Sequence, residues 1–132
     1  WSNTMTKSAL NLKNVSPLGM LKEYHDLAGL PIDPEEVTVE LAQMREDLIN
    51  EEFVEYTKAV HLEDALKELC DLVYVIYGWA VTFGIDFDEA LRRVHENNIG
   101  RMYQDDGTIH YREDGKVLRN KNYPPVFLGD LL

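Results

Sequence analysis

Apolar residues recur at helical spacing along most of the chain, and capping residues mark where the helices start and stop. Ser16 followed by Pro17 is typical of a helix N-terminus, and Asp33 followed by Pro34 is a second such pattern. Together these features predict helices at about residues 17–28, 34–59, 62–84 and 86–99. We therefore expect an all-α fold with a four-helix core, in which the second and third helices form a central antiparallel hairpin.

The helical pattern ends at Arg101. Turn sequences at residues 105–107 and 113–115 flank two short segments, 108–111 and 116–118, which we expect to pair as a small β-hairpin before an extended tail. Residues 1–15 are polar and mixed, and we expect them to form a flexible leader, with one domain over residues 16–132.

The far half of the third predicted helix is apolar around nearly its whole circumference. Its apolar residues are Leu69, Leu72, Val73, Val75, Ile76, Ala80, Val81 and Phe83. A helix of this kind must be covered on all sides, and the three other predicted helices are too few to cover it. We therefore predict an obligate homo-oligomer, either a homodimer or a dimer of dimers.

Composition and charge narrow the class of protein. The chain has 132 residues, of which 45% are hydrophobic and 28% charged, so it is long enough for one globular domain with a core. A net charge of -11 disfavours binding to a nucleic-acid polymer or an anionic membrane. The stretch from Arg92 to Lys121 differs, because it holds seven basic residues against five acidic ones. The acidic centre and the basic tail are therefore separate features.

The single cysteine, Cys70, has no partner within the chain for a disulfide, which favours a reduced, cytoplasmic setting. It lies in an apolar run, so we expect a buried structural thiol and not a nucleophile.

Carboxylates lie on both sides of the predicted hairpin turn. Glu52 and Asp71 are equidistant from the position between residues 61 and 62, and so are Glu55 and Glu68. Packed helices lie about 8–10 Å apart, so these four carboxylates could converge on one spot. A solvated acidic face is the alternative. The apolar neighbours of Asp71 favour convergence around a cation, because an unpaired buried carboxylate is heavily penalised.

The ligand types narrow the choice of ion. An all-oxygen set favours Mg²⁺ or Mn²⁺ over zinc, and such ions engage phosphate oxygens. Di-iron bundles require Glu-x-x-His pairs, whereas the residue three places after Glu52 is Glu55 and that after Glu68 is Asp71. Glycine-rich phosphate loops are absent from the sequence.

These motifs resemble those of the MazG-like all-α NTP pyrophosphatase superfamily, which includes dimeric dUTPases and phosphoribosyl-ATP pyrophosphohydrolase. The similarity covers roughly residues 18–127, and Arg101 stands where relatives with a similar tail often carry lysine. The matching motifs include Glu51-Glu52-x-x-Glu55 and, after twelve intervening residues, Glu68-x-x-Asp71, together with His95-x-x-Asn98-x-x-Arg101 and Asp114-Gly115-Lys116-Val117.

The resemblance implies hydrolysis between the α- and β-phosphates of a nucleoside triphosphate, ribo or deoxy, which yields the monophosphate and pyrophosphate in nucleotide-pool housekeeping. It implies that Mg²⁺, or alternatively Mn²⁺, is held by Glu52, Glu55, Glu68 and Asp71. Glu51 is the candidate to orient or deprotonate the attacking water, and its alternative role is that of an exposed neighbour without catalytic duty.

A triphosphate also needs cations, which the acidic centre lacks. We expect Arg101, Arg112 and Lys116 to contact the substrate. Asn98 either recognises the base or ribose or caps the fourth helix.

The segment from Leu21 to His25 and the tail are most similar to those of the dUTPase-like and phage-type branch, which favours a deoxypyrimidine or a broad deoxynucleotide range. Phosphoribosyl-ATP is less favoured, because nothing in the sequence marks a ribose-phosphate site distinct from the triphosphate site. An acidic helical interaction module and a nucleotide-binding protein without turnover are the non-catalytic alternatives.

Overall fold

The computed structural model describes residues 16–132, and the predicted leader at residues 1–15 lies outside them. The described residues form four α-helices and no β-strand, which confirms the all-α prediction. The helices are α1 (Pro17–Ala28), α2 (Val39–Thr57), α3 (Leu62–Thr82) and α4 (Phe87–Arg101), with short 3-10 turns at Pro34–Glu36 and Gly129–Leu131.

The chain divides into two compact units. The first, which ends at Phe87, contains α1, α2 and α3, and α3 packs against both of the other helices. The second, Asp88–Leu132, contains α4 beyond its first residue and the tail. The buried core lies in the first unit and consists of Leu18, Leu21, Tyr77, Ala80 and Val81.

The two ends of α1 lie where the capping residues of the sequence predict them. The hydroxyl of Ser16 accepts a hydrogen bond from the backbone N–H of Gly19 at 3.2 Å, and Pro17 begins α1. Gly29 ends α1 with φ at 67°, a left-handed conformation that glycine adopts without the steric penalty of a Cβ. The predicted boundaries of α1 are therefore confirmed.

The predicted start of α2 is wrong. The side chain of Asp33 accepts a hydrogen bond from Glu35 N–H at 2.9 Å, but it opens only the 3-10 turn at Pro34–Glu36. The backbone is extended at Val37 and at Thr38, and Thr38 Oγ1 accepts from Leu41 N–H at 3.0 Å. A helix cannot run through an extended cap residue, so the second capping site fixes the start of α2 at Val39.

The tail pairs less extensively than predicted. An isolated antiparallel bridge joins Tyr111 and Val117, and Leu118 N–H donates to the carbonyl of His110 at 2.7 Å. The expected β-hairpin is therefore reduced to one bridge, because its arms of three or four residues are shorter than the usual strand.

The apolar residues of α3 are distributed differently from the expectation. The last two turns of α3 are covered within the first unit, where Tyr77, Ala80 and Val81 are buried. Leu69 and Val73, which belong to the predicted apolar set, are exposed, and so are Leu62 and Leu66 earlier in the helix. Cys70 is also exposed, so the expectation of a buried thiol is wrong. No single helix in residues 16–132 is long and apolar enough to span a membrane; α3 and α4 reach that length and composition only together, as a bent pair.

Candidate active site

Three carboxylates from two helices meet in the first unit. Glu52 of α2 and Glu68 and Asp71 of α3 each contribute one oxygen, and these oxygens all lie within 4.8 Å of one another. All three residues are half-buried. The hairpin therefore brings together three of the four carboxylates that the sequence placed at matching heights.

The two remaining acidic residues lie outside this group. Glu55 is exposed and is absent from the set of converging oxygens. Glu51 is also exposed, and it lines a shallow groove on α2 together with Gln43 and Asp47, which precede it at helical spacing. Adjacent positions on a helix point about 100° apart, so Glu51 and Glu52 occupy different faces.

Lys67 is a member of the site that the sequence reasoning missed. Its Nζ lies 2.6 Å from Asp71 Oδ2 and 3.7 Å from Glu68 Oε1. The hydrogen bond to Asp71, followed by the charges of Asp71 and Glu68, raises the pKa of Lys67. The four-residue spacing of Lys67 and Asp71 on one helix was a usable signal. A cation is thus already attracted to these carboxylates.

The electrostatics of Glu52 favour a bound cation. Partial desolvation raises the pKa of Glu52, the negative charges of Asp71 and Glu68 raise it further, and Lys67 opposes them. The group therefore holds more negative charge than one ammonium offsets. Its donor atoms are all carboxylate oxygens, the ligands preferred by hard divalent cations. These residues fit an ion such as Mg²⁺.

A buried polar layer lies two helical turns from the carboxylates. Arg45 precedes Glu52 by seven residues on α2, a rise of about 10 Å along the axis, and it is 6% exposed. Its guanidinium lies against Gly78 of α3. His25 of α1 is 1% exposed, and its Nδ1 is 3.0 Å from the carbonyl oxygen of Pro31. Burial lowers the pKa of His25, the Pro31 hydrogen bond opposes this, and the charge of Arg45 lowers it further.

The second unit contains an open cleft of about 970 Å³ that we call the basic cleft. All four residues predicted to contact the substrate line it, together with two basic residues that sequence reasoning did not select. The predicted residues are Asn98, Arg101, Arg112 and Lys116, and the additional ones are Arg119 and Lys121. These side chains come from α4 and from separate parts of the tail, so the structure groups them in one place.

Asn98 does not cap α4. The helix continues to Arg101, and Asn98 Oδ1 accepts a hydrogen bond from Arg101 Nη2 at 2.6 Å. The capping alternative is therefore wrong, and Asn98 orients a cation of the basic cleft.

The family model for phosphoribosyl-ATP pyrophosphohydrolase matches residues 20–98, more than half of the chain, and the protein belongs to this family. The family is part of the MazG-like all-α NTP pyrophosphatase superfamily, so the resemblance seen in the sequence is confirmed. The protein is thus a nucleotide pyrophosphohydrolase, a hydrolase acting on phosphoric anhydrides. No curated protein matches the chain.

Proposed function

We propose that this protein is a Mg²⁺-dependent pyrophosphohydrolase that converts nucleoside or deoxynucleoside triphosphates and water into the monophosphate and pyrophosphate. The observation that carries the proposal is the approach of the Glu52, Glu68 and Asp71 oxygens to within 4.8 Å of one another. All three residues lie inside the matched stretch 20–98. Converging carboxylates attract a hard divalent cation, and a polyphosphate substrate would supply ligand oxygens that complete the coordination of such an ion.

Each acidic residue has a proposed role. Glu52, Glu55, Glu68 and Asp71 would hold the ion, and Glu55 would join the group by a side-chain rotation on the exposed surface of α2. When bound, Mg²⁺ would neutralise charge on the phosphate oxygens. Glu51, on the adjacent face of α2, would orient or deprotonate the water that attacks phosphorus, while the anhydride oxygen leaves with pyrophosphate.

The cations of the second unit have a complementary proposed role. Arg101, Arg112 and Lys116 would contact the phosphates, and Asn98 would hold the Arg101 guanidinium in position through the bond at 2.6 Å. Arg101 keeps the positive charge that relatives often place on lysine and adds a planar donor set suited to phosphate oxygens.

Phosphoribosyl-ATP is the second candidate substrate, because the matched family model carries that name. The motifs of the tail favour a deoxynucleoside triphosphate instead. The residues of that tail lie beyond residue 98, where the family match ends. A purified sample incubated separately with phosphoribosyl-ATP and with each common ribo- and deoxynucleotide, and assayed for pyrophosphate, decides between the two.

The assay should be run with Mg²⁺ and with EDTA. We expect pyrophosphate only with Mg²⁺, and we expect Glu52→Gln and Asp71→Asn to reduce the rate by at least about 100-fold, the scale on which groups that stabilise developing charge act. Glu63→Gln is the matched control, because Glu63 is an exposed carboxylate that lies on α3, like Asp71, but outside the converging group. Loss of activity in all three variants, or undiminished activity in EDTA, would contradict the proposal.

We also propose that the protein self-associates. The support is the row of exposed apolar side chains on α3 at helical spacing, from Leu62 through Leu66 and Leu69 to Val73. Sedimentation of the wild type and of Leu66→Glu should give different masses. A monomeric wild type would refute this part of the proposal.

A further inference from the structure

The basic cleft has an unusual charge content. Five cationic side chains line it, and none of the residues that line it is acidic. Its volume, about 970 Å³, is at the upper end of the range for small-molecule sites. Apart from its first residues, Asn97 and Asn98, it lies beyond the stretch 20–98 that the family model matches. The family match therefore does not account for it.

Two hydrogen bonds hold the tail against the end of α4. Asn120 N–H donates to the carbonyl of Arg101 at 2.7 Å, and Asn97 Nδ2 donates to the carbonyl of Pro124 at 2.9 Å. The ring of Tyr123 also covers Gly100, where a Cβ atom would overlap it. Arg119 and Lys121 flank Asn120 in sequence, so these contacts hold both residues beside the end of the helix.

Most cations of the basic cleft differ from the other arginines of α4 in that they form no ion pair within the described residues. Arg92 and Arg93 of α4 pair with carboxylates of Glu89, Glu96 and Asp130. Arg112 pairs with Asp114 at 2.8 Å. None of the ion pairs within residues 16–132 involves the other four cleft cations, which are Arg101, Lys116, Arg119 and Lys121. Several unpaired cations around one cleft repel one another, and a bound polyanion removes that repulsion.

We propose that the basic cleft is a polyphosphate-binding site that acts without a metal ion, and that Arg119 and Lys121 are binding residues in it. The identification of the anion as the polyphosphate chain of a nucleotide rests on the proposed function. Guanidinium groups match pairs of phosphate oxygens, and a linear triphosphate carries enough charge to offset four unpaired cations. The net charge of -11 for the whole chain makes a nucleic-acid polymer the less favoured ligand.

The test uses the full chain in EDTA, so that neither catalysis nor the acidic group contributes. Calorimetry should show that inorganic tripolyphosphate binds at least about tenfold more tightly than orthophosphate. Arg119→Ala and Lys121→Ala should each weaken tripolyphosphate binding by about tenfold, the size expected for one charge-assisted contact. Arg119→Lys should recover part of the loss. Arg92→Ala, which removes a paired cation from the same unit, should leave the affinity within about twofold.

Absence of tripolyphosphate binding, or equal weakening by Arg92→Ala, would overturn the proposal. Tighter binding of a single-stranded oligonucleotide than of tripolyphosphate would also overturn it. Failure of the proposed hydrolysis is recognised separately, because a protein without turnover can still bind tripolyphosphate in EDTA. Circular dichroism of each variant establishes that an affinity change does not arise from unfolding.

Discussion

The guanidinium group of Arg45 occupies the space that a side chain at Gly78 would need. A Cβ atom on residue 78 would lie 3.0 Å from Arg45 Cζ and would overlap Nη2. Arg45 and Gly78 are equidistant in sequence from the middle of the hairpin, between residues 61 and 62. Glu52 and Asp71 are equidistant from the same point. One register between α2 and α3 therefore places both the buried cation and the carboxylate group.

Gly78→Ala should destabilise the protein although alanine favours helices. Overpacking of a filled site costs about 1–3 kcal/mol, while the gain in helix propensity is about 1 kcal/mol. We expect a lower urea midpoint, with a net loss of up to about 2 kcal/mol in the free energy of unfolding. An unchanged or raised midpoint would show that the guanidinium moves away without penalty.

Arg45→Met should be neutral or stabilising. Burial lowers the pKa of Arg45, and its Nε is buried without a hydrogen-bond partner within residues 16–132. An unsatisfied buried polar group costs about 1–3 kcal/mol, which methionine would recover in part, because its side chain ends in a methyl group at the position of Nε. In the double variant, Gly78→Ala should lose most of its destabilising effect, because the overlapping atoms are gone. Additive effects in this double-mutant cycle would contradict the contact.

The stability of the protein should fall as the pH drops below 6.5. The carbonyl of Pro31 can only accept, so Nδ1 of His25 must donate to it. Burial of the ring favours its neutral form, which lowers the pKa of His25. Because the folded-state pKa is lowered from 6.5, this stabilisation is complete above pH 6.5 and is lost as the unfolded chain takes up a proton below it. Urea unfolding between pH 8 and pH 5.5 measures the loss, at most about 1.4 kcal/mol per pH unit. His25→Gln should have a shallower pH dependence, and an identical slope would refute the assignment.

Glu52→Gln should change stability in opposite directions with and without Mg²⁺. The pKa of Glu52 is raised, so its contribution is favourable below pH 4.5 and is lost as the pH rises through the folded-state pKa. At pH 7.5 in EDTA the variant should therefore melt at a higher temperature than the wild type. Mg²⁺ at 100 times its dissociation constant should stabilise the wild type by about 2.7 kcal/mol. The same Mg²⁺ should stabilise the variant little, and equal Mg²⁺ shifts in both proteins would exclude Glu52 as a ligand.

Lys67→Gln should tighten Mg²⁺ binding. The ammonium of Lys67 lies 2.6 Å from Asp71 Oδ2 and competes with a divalent ion for that oxygen. Lys67 is exposed, so the effect should be small, roughly a two- to fivefold lower dissociation constant. A Mg²⁺ titration followed by thermal unfolding measures it, with Lys22→Gln on α1 as the control for charge. Weaker Mg²⁺ binding in Lys67→Gln would mean that the lysine supports the site instead of competing for it.

The sequence by itself determined the features that depend on neighbouring residues. Ser16, Pro17 and Gly29 fix α1, because capping bonds and a left-handed glycine act within a few positions. The equal distances of Glu52 and Asp71 from the turn predicted their approach, because a tight antiparallel hairpin converts sequence symmetry into spatial proximity. The motifs around them also predicted the family that the chain belongs to.

Tertiary structure alone decided the features that depend on long-range contacts. Arg45 reads as a polar surface residue, yet packing of α2 against α3 buries it over Gly78. The basic cleft required Asn120 to bond with Arg101 across nineteen positions, which no local pattern specifies. At the site, the packing of α2 against α3 determines which carboxylates meet, so Glu52 converges with Glu68 and Asp71 whereas Glu55 stays outside the group. Capping hydrogen bonds depend only on neighbouring residues, whereas these placements depend on how whole helices and the tail pack.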